Sequence, residues 1–195
     1  GYDLEQQQTL PQSPLSIAKG EQLLAIAAGT LYRHGVPWSE AEDRTRDAFR
    51  TVSAELPLGG LVSPAGDVAE LFAQLHRAGI RIAVVTTDDR AETEEALHLI
   101  GALAFVDHMV CGDDGFPSKP APDMLLAACH QLQIDPSRTA VVGDTQADLL
   151  MAQRAGAGLR VAVLTGPGDP EMLAAAADVI IQSIDAINVS EDDPP

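Results

Sequence analysis

Four short apolar runs, at 81–86, 139–143, 160–164 and 178–181, constrain this chain more than any other feature. Each is rich in valine, isoleucine or alanine with no alternation of polar residues, which is how strands buried on both faces read. A weaker run lies at 108–111. Helical periodicity fills the intervals, over 63–79, 90–100, 122–133, 146–155 and from residue 170, and Gly79, Gly101 and Gly156 stand where such helices stop. Strands alternating with helices of this length predict βαβ crossovers and an α/β fold built on a doubly wound parallel sheet. Ligands of such sheets bind beyond the carboxyl ends of the strands, so the informative residues are those that follow each run.

The first third of the chain reads differently. Ser13 and Pro14 open a helix carrying Leu15, Leu23, Leu24, Ile26 and Leu31, and Gly35 closes it. Ser39 with Glu42 forms a capping box for a second helix over 40–55, whose apolar side is Ala41, Ala48, Phe49 and Val52. Pro57-Leu58-Gly59-Gly60 then breaks the pattern. The expected organisation is a helical unit over 1–60, an α/β core over 61–188 and a disordered acidic tail over 189–195.

Charge removes several function classes. Lys and Arg number 12 against 29 Asp and Glu, a formal net charge of −17. Such a chain repels nucleic-acid backbone and anionic membrane, so neither is an expected partner. No apolar run approaches the roughly 18–20 residues of a membrane span, and the first residues lack a signal-peptide pattern. Cys111 and Cys129 lie in no CxxC pair and near no clustered histidine, and are expected as buried free thiols of a cytoplasmic protein. The five histidines are scattered and form no ligand pattern. The carboxylate surplus points instead to a bound cation.

Three strand ends carry candidate chemistry. Thr86-Thr87-Asp88-Asp89 places hydroxyls ahead of a helix, where they can meet an anionic oxygen or simply cap that helix. Lys119, ahead of Pro120, is held extended and is suited to a phosphate or carboxylate, or is an exposed surface lysine. Gly143-Asp144-Thr145-Gln146-Ala147-Asp148 puts two carboxylates one helical turn apart. These would repel unless a cation such as Mg²⁺ lay between them; alternatively Asp144 caps the helix and Asp148 complements its dipole.

The order hydroxyl, lysine, GDxxxD at successive strand ends resembles the haloacid dehalogenase-like hydrolase superfamily. The matching segments are Val84-Val85-Thr86-Thr87, Lys119-Pro120-Ala121-Pro122-Asp123 and Val141 through Asp148, and the resemblance spans about 63–187. Within the superfamily the chain looks most like the phosphoglycolate phosphatase-type branch, with residues 14–55 as its helical cap. The resemblance implies a Rossmann-like core and a Mg²⁺-dependent phosphatase working through an aspartyl-phosphate on a small phosphorylated metabolite. Thr86, with Thr87 beside it, would bind the phosphoryl oxygens, and Lys119 would offset charge on nucleophile and phosphoryl group. Asp144 would ligate Mg²⁺, and Asp148 would belong to the same metal site, orienting a metal-bound water or Lys119. A phosphomutase or dehalogenase of the same superfamily, or a catalytically inactive binding module, are the alternatives. A monomer or weak homodimer is expected.

The family's first motif, an apolar strand ending in DxDxT, has no match. Asp3-Leu4-Glu5 follows no strand, its second acid is Glu, and Thr9 lies too far on. The nucleophile is therefore expected outside this chain. In the resembled fold that missing strand is central, between the strands ending at Thr86 and Gly143, so their inner edges would be unpaired and the chain is expected to be poorly stable or to close the gap by non-native pairing. Specificity would come from the cap, where Tyr32, Arg33, Trp38, Arg44 and Arg46 are candidates of unassigned orientation.

Overall fold

A computed structural model describes residues 2, 3, 5, 8–10, 13–55 and 63–189. The Pro57–Gly60 breaker and the last acidic residues lie outside the described residues. Two-residue strands β1 (Tyr2–Asp3) and β2 (Gln8–Thr9) form a small antiparallel pair. The helical unit follows as α1 (Pro14–Ile17), α2 (Gly20–Arg33) and α3 (Trp38–Glu55). The single helix expected from Pro14 to Gly35 is interrupted, because Ala18 and Lys19 are both extended. The α3 helix begins at Trp38, so Ser39 sits inside its first turn instead of capping it. Helix α2 packs along α3, with Ala28 and Ala41 buried where the two approach.

The α/β core runs α4 (Val68–Arg77), β3 (Ala83–Val85), α5 (Arg90–Leu99), β4 (His108–Val110), α6 (Asp123–Leu132), β5 (Ala140–Gly143), α7 (Gln146–Ala155), β6 (Leu159–Val163), α8 (Pro170–Ala176) and β7 (Val179–Ile181). Helix α4 starts later than Ser63-Pro64 suggests: Asp67 caps it by accepting the Glu70 amide at 3.1 Å. Asp185 accepts the Asp67 amide at 2.8 Å and so ties the C-terminal end of the core to the start of α4.

Every strand pairing in the core is parallel, as the alternation predicts, but the sheet is divided. Strand β3 pairs with β4, and β5 with β6 and then β7. The facing edges of β3 and β5 are not hydrogen-bonded to each other and are not closed by another described strand. Val142, in the middle of β5, is 42% exposed in consequence. The blocks are joined by a core in which Val110 of β4 meets Met124, Leu125, Ala128 and Cys129 of α6 and Met151 and Ala152 of α7, with Val85 and Val141 packed against it. Both cysteines are free and buried, and burial raises both thiol pKa values. Among the described residues no helix is long and apolar enough to cross a membrane.

Candidate active site

The parted strands open on a cleft of about 1420 Å³ whose walls include Val85, Thr86, Lys119, Val142, Asp144 and Asp148. All the residues singled out at the three strand ends therefore reach one space. Helices α1 to α3 contribute Leu15, Leu23, Leu24 and Phe49 to its rim, and Lys19 joins them from the break between α1 and α2. Tyr32, Arg33, Trp38, Arg44 and Arg46 are not among the lining residues. Tyr32 and Trp38 pack edge to face at 6.1 Å, and Arg44 and Arg46 pair with Glu40 and Asp43 on their own helix.

Lys119 is the most constrained of these groups. Its Nζ donates to the Val85 carbonyl and to Asp148 Oδ1, both at 2.7 Å. The side chains of Lys119 and Asp148 are only 13% and 11% exposed. The lysine thus stitches the end of β3 to the start of α7 across the gap between the sheet blocks.

Asp148 is held as firmly. Its Oδ2 accepts the Thr145 amide at 3.1 Å and the Thr145 hydroxyl at 2.5 Å, while Thr145 Oγ1 accepts the Asp148 amide at 3.3 Å. This reciprocal capping box makes Thr145, not Asp144, the cap of α7. Both Asp148 oxygens are consequently engaged, and the backbone of α7 needs nothing from Asp144.

Asp144 is left with a carboxylate in the cleft and with no hydrogen bond from another described side chain. Burial, followed by the neighbouring Asp148, raises its pKa, and a hydrogen bond from its own amide and the charge of Lys119 only partly oppose them. Gly166 and Gly168, in the turn after β6, close around it: a Cβ at Gly166 would fall 1.7 Å from Asp144 Oδ2, and one at Gly168 would fall 2.0 Å from its carbonyl oxygen. A largely buried carboxylate whose charge is only partly offset suits a hard cation that accepts one protein oxygen and retains waters. Among the described residues no cluster of three or more His, Cys, Asp or Glu could hold a metal unaided. Asp144 therefore fits Mg²⁺ as one ligand of a set completed by other groups.

At the end of β3, Thr86 Oγ1 donates to Asp88 Oδ2 at 2.8 Å and accepts the Asp88 amide at 3.1 Å. Asp89 precedes α5 without capping it through its side chain. This loop is shaped by Gly112, whose amide donates to the Asp88 carbonyl at 2.7 Å. A Cβ at Gly112 would lie 2.1 Å from the Thr87 carbonyl oxygen. Gly112→Ala is accordingly expected to cost about 2 kcal/mol in urea denaturation and to shift the Thr86 and Thr87 amide resonances; an unchanged midpoint and spectrum would show that the loop yields freely.

Two features of the cleft were not among the residues singled out from sequence, Lys19 and the Thr165-Gly166-Pro167-Gly168 turn. The turn's glycines, directly after a strand, were a legible signal of close approach. Lys19 carried none, since it stands in a stretch that reads as continuous helix.

Comparison with known proteins places the chain in a family. A sequence model of the haloacid dehalogenase-like hydrolases matches residues 7–156. The validoxylamine A 7'-phosphate phosphatase of Streptomyces hygroscopicus subsp. limoneus is 36% identical over 115 residues, covering 59% of this chain and 53% of that protein. The plasmid phosphoglycolate phosphatase of Cupriavidus necator is 34% identical over 120 residues, covering 60% and 50%. The chain thus spans about half the length of the curated relatives it matches. A crystal structure of a predicted phosphoglycolate phosphatase from Haemophilus somnus superposes with a TM-score of 0.71 at 22% identity, covering 85% of this chain and 74% of that one, which shows the shared fold.

Proposed function

This chain belongs to the haloacid dehalogenase-like hydrolase family, and from that premise we propose that the whole protein is a phosphatase of a small phosphorylated metabolite, with Mg²⁺ as its cofactor. The observation that carries this reading is the meeting of Lys119 and Asp144 in one cleft at the carboxyl ends of parallel strands. The phosphatase names of two relatives support it.

Phosphoryl transfer asks a protein mainly for positioning and for charge placed where it develops. Lys119 meets the second need. Its ammonium has one donor left after Val85 and Asp148, and that donor is available to a phosphoryl oxygen. Because the pair with Asp148 is nearly dry, Lys119 is already desolvated and fixed before an anion arrives. Asp148 acts as its holder, with both oxygens spent on Lys119 and Thr145. Thr86 would bind an oxygen by exchanging its bond to Asp88, which keeps its hydroxyl satisfied throughout. Asp144 would hold the cation, which when bound neutralises charge on the phosphoryl group. Asp3 and Glu5 are not among the described residues that line the cleft.

The test is hydrolysis of p-nitrophenyl phosphate by the whole protein. Turnover that requires Mg²⁺, stops with EDTA and falls by about a hundredfold or more in Asp144→Asn is expected. Turnover indifferent to EDTA, or equal in Asp144→Asn, would overturn the assignment.

A further inference from the structure

Lys19 is buried to 7% exposure in the gap between α1 and α2, where the chain is extended. Its Nζ donates at 2.7 Å to the carbonyl of Phe116. No described ion pair includes it within 4.0 Å. Its hydrogen bond is thus to a neutral carbonyl, while the Asp89 carboxylate attracts its charge without pairing with it within 4.0 Å. Phe116 lies three residues ahead of Lys119, in a loop after β4 with no ladder of its own. On the other side of Lys119, Arg154 of α7 donates at 2.9 Å to the carbonyl of Pro120. The main chain carrying Lys119 is therefore bracketed by two cations, one from the helical unit and one from the core. Between them the segment is held by a turn in which the Ala121 amide donates to the Ser118 carbonyl.

We infer that Lys19 is a positioning residue for Lys119: by clasping the Phe116 carbonyl it makes the seating of the helical unit and the aim of the Lys119 ammonium one event. The inference rests on the phosphatase reading for its functional meaning, but not for its geometry. Lys119 is pinned at its ammonium by Val85 and Asp148, and its backbone depends on side chains that hold loop carbonyls. Loops of this kind open locally when such bonds are removed. If the helical unit lifts, Phe116 is released and the lysine keeps its charge but loses its orientation. When the unit is seated, both ends of the Lys119 side chain are fixed, as a preorganised anion site requires.

The experiment reads the lysine side-chain Cε–Hε signals of the 195-residue chain by NMR, with Lys119 assigned through its loss in Lys119→Arg. Binding of inorganic phosphate in the presence of Mg²⁺ is measured in parallel by calorimetry. In Lys19→Met the Lys119 signal is expected to move toward the position of exposed lysines, and phosphate to bind about tenfold more weakly. Lys19→Arg, which can still reach Phe116, should restore both. A Lys119 signal unchanged in folded Lys19→Met overturns the inference, including the case in which phosphate affinity falls, since Lys19 would then touch the anion directly. Should Lys19→Met fail to fold by circular dichroism, Lys19→Gln, polar but too short to reach the carbonyl, is read by the same criteria. If the wild-type chain binds no phosphate, the Lys119 signal alone decides the positioning role, and the phosphatase reading is decided separately by p-nitrophenyl phosphate turnover of the whole protein.

Discussion

Replacement of Lys119 by methionine is expected to lower the free energy of unfolding by about 3 kcal/mol. The cost arises because Asp148 stays behind. Its carboxylate is 11% exposed, and without the 2.7 Å contact to Lys119 it keeps only the bonds from Thr145 against the burial of its charge. The Val85 carbonyl loses its donor as well. Asp148→Asn alone should be destabilising for the converse reason, with Lys119 left buried opposite an amide. The double variant Lys119→Met/Asp148→Asn should recover part of the loss, giving a coupling energy of about 1–3 kcal/mol in a double-mutant cycle. Urea denaturation of the four proteins measures it. Additive losses would show that the two side chains are independent, contrary to the geometry.

The second large effect concerns Asp144. Its pKa is raised by burial and by Asp148, so the charged form is disfavoured on folding. A carboxylate of that kind contributes stability only while it is protonated. The contribution disappears as pH rises through the ordinary aspartate range to the raised value, and at neutral pH the charge works against the fold. Asp144→Asn should therefore raise the unfolding temperature in metal-free buffer by about 2 °C or more. Wild-type protein should regain more than this from Mg²⁺ with phosphate, about 2.7 kcal/mol at a hundredfold excess over the dissociation constant. The variant should gain almost nothing. Calorimetric scans with and without Mg²⁺ and EDTA check both signs. An Asp144→Asn variant as responsive to Mg²⁺ as wild type would exclude Asp144 as the ligand.

Much of this was legible in the chain before any coordinates. Valine-rich runs such as 139–143 mark the strands, though not their burial, since Val142 is 42% exposed at the open edge of β5, and the helices between them follow from period and glycine stops. The positions of Lys119 and Asp144 were readable because a parallel sheet sends every strand end toward the same side. Contacts decided by competition between neighbours were not readable. Thr145 and Asp144 are adjacent, polar and both able to cap α7, and only the three-dimensional path shows that Thr145 does so and frees Asp144. Ser39 and Glu42 satisfy a capping-box spacing, yet α3 begins two residues before the helix that spacing predicts, at Trp38. Lys19 could not be found from pattern at all: its partner is 97 residues away, and local periodicity carries no information at that range.

The parting of the sheet bears on how the cleft keeps its width. In an unbroken sheet the distance between neighbouring strands is set by hydrogen bonds and is almost inextensible. Here Thr86 stands on one block and Asp144 on another, and what spans them is the side-chain layer of Met124, Ala128 and Met151 together with the stitch through Lys119. Methionine side chains are the most deformable spacers a core contains. The separation of the two walls is thus an elastic quantity governed by side-chain volume, and a single methylene added to or removed from α6 or α7 would tune the gauge of the site without touching any residue in it.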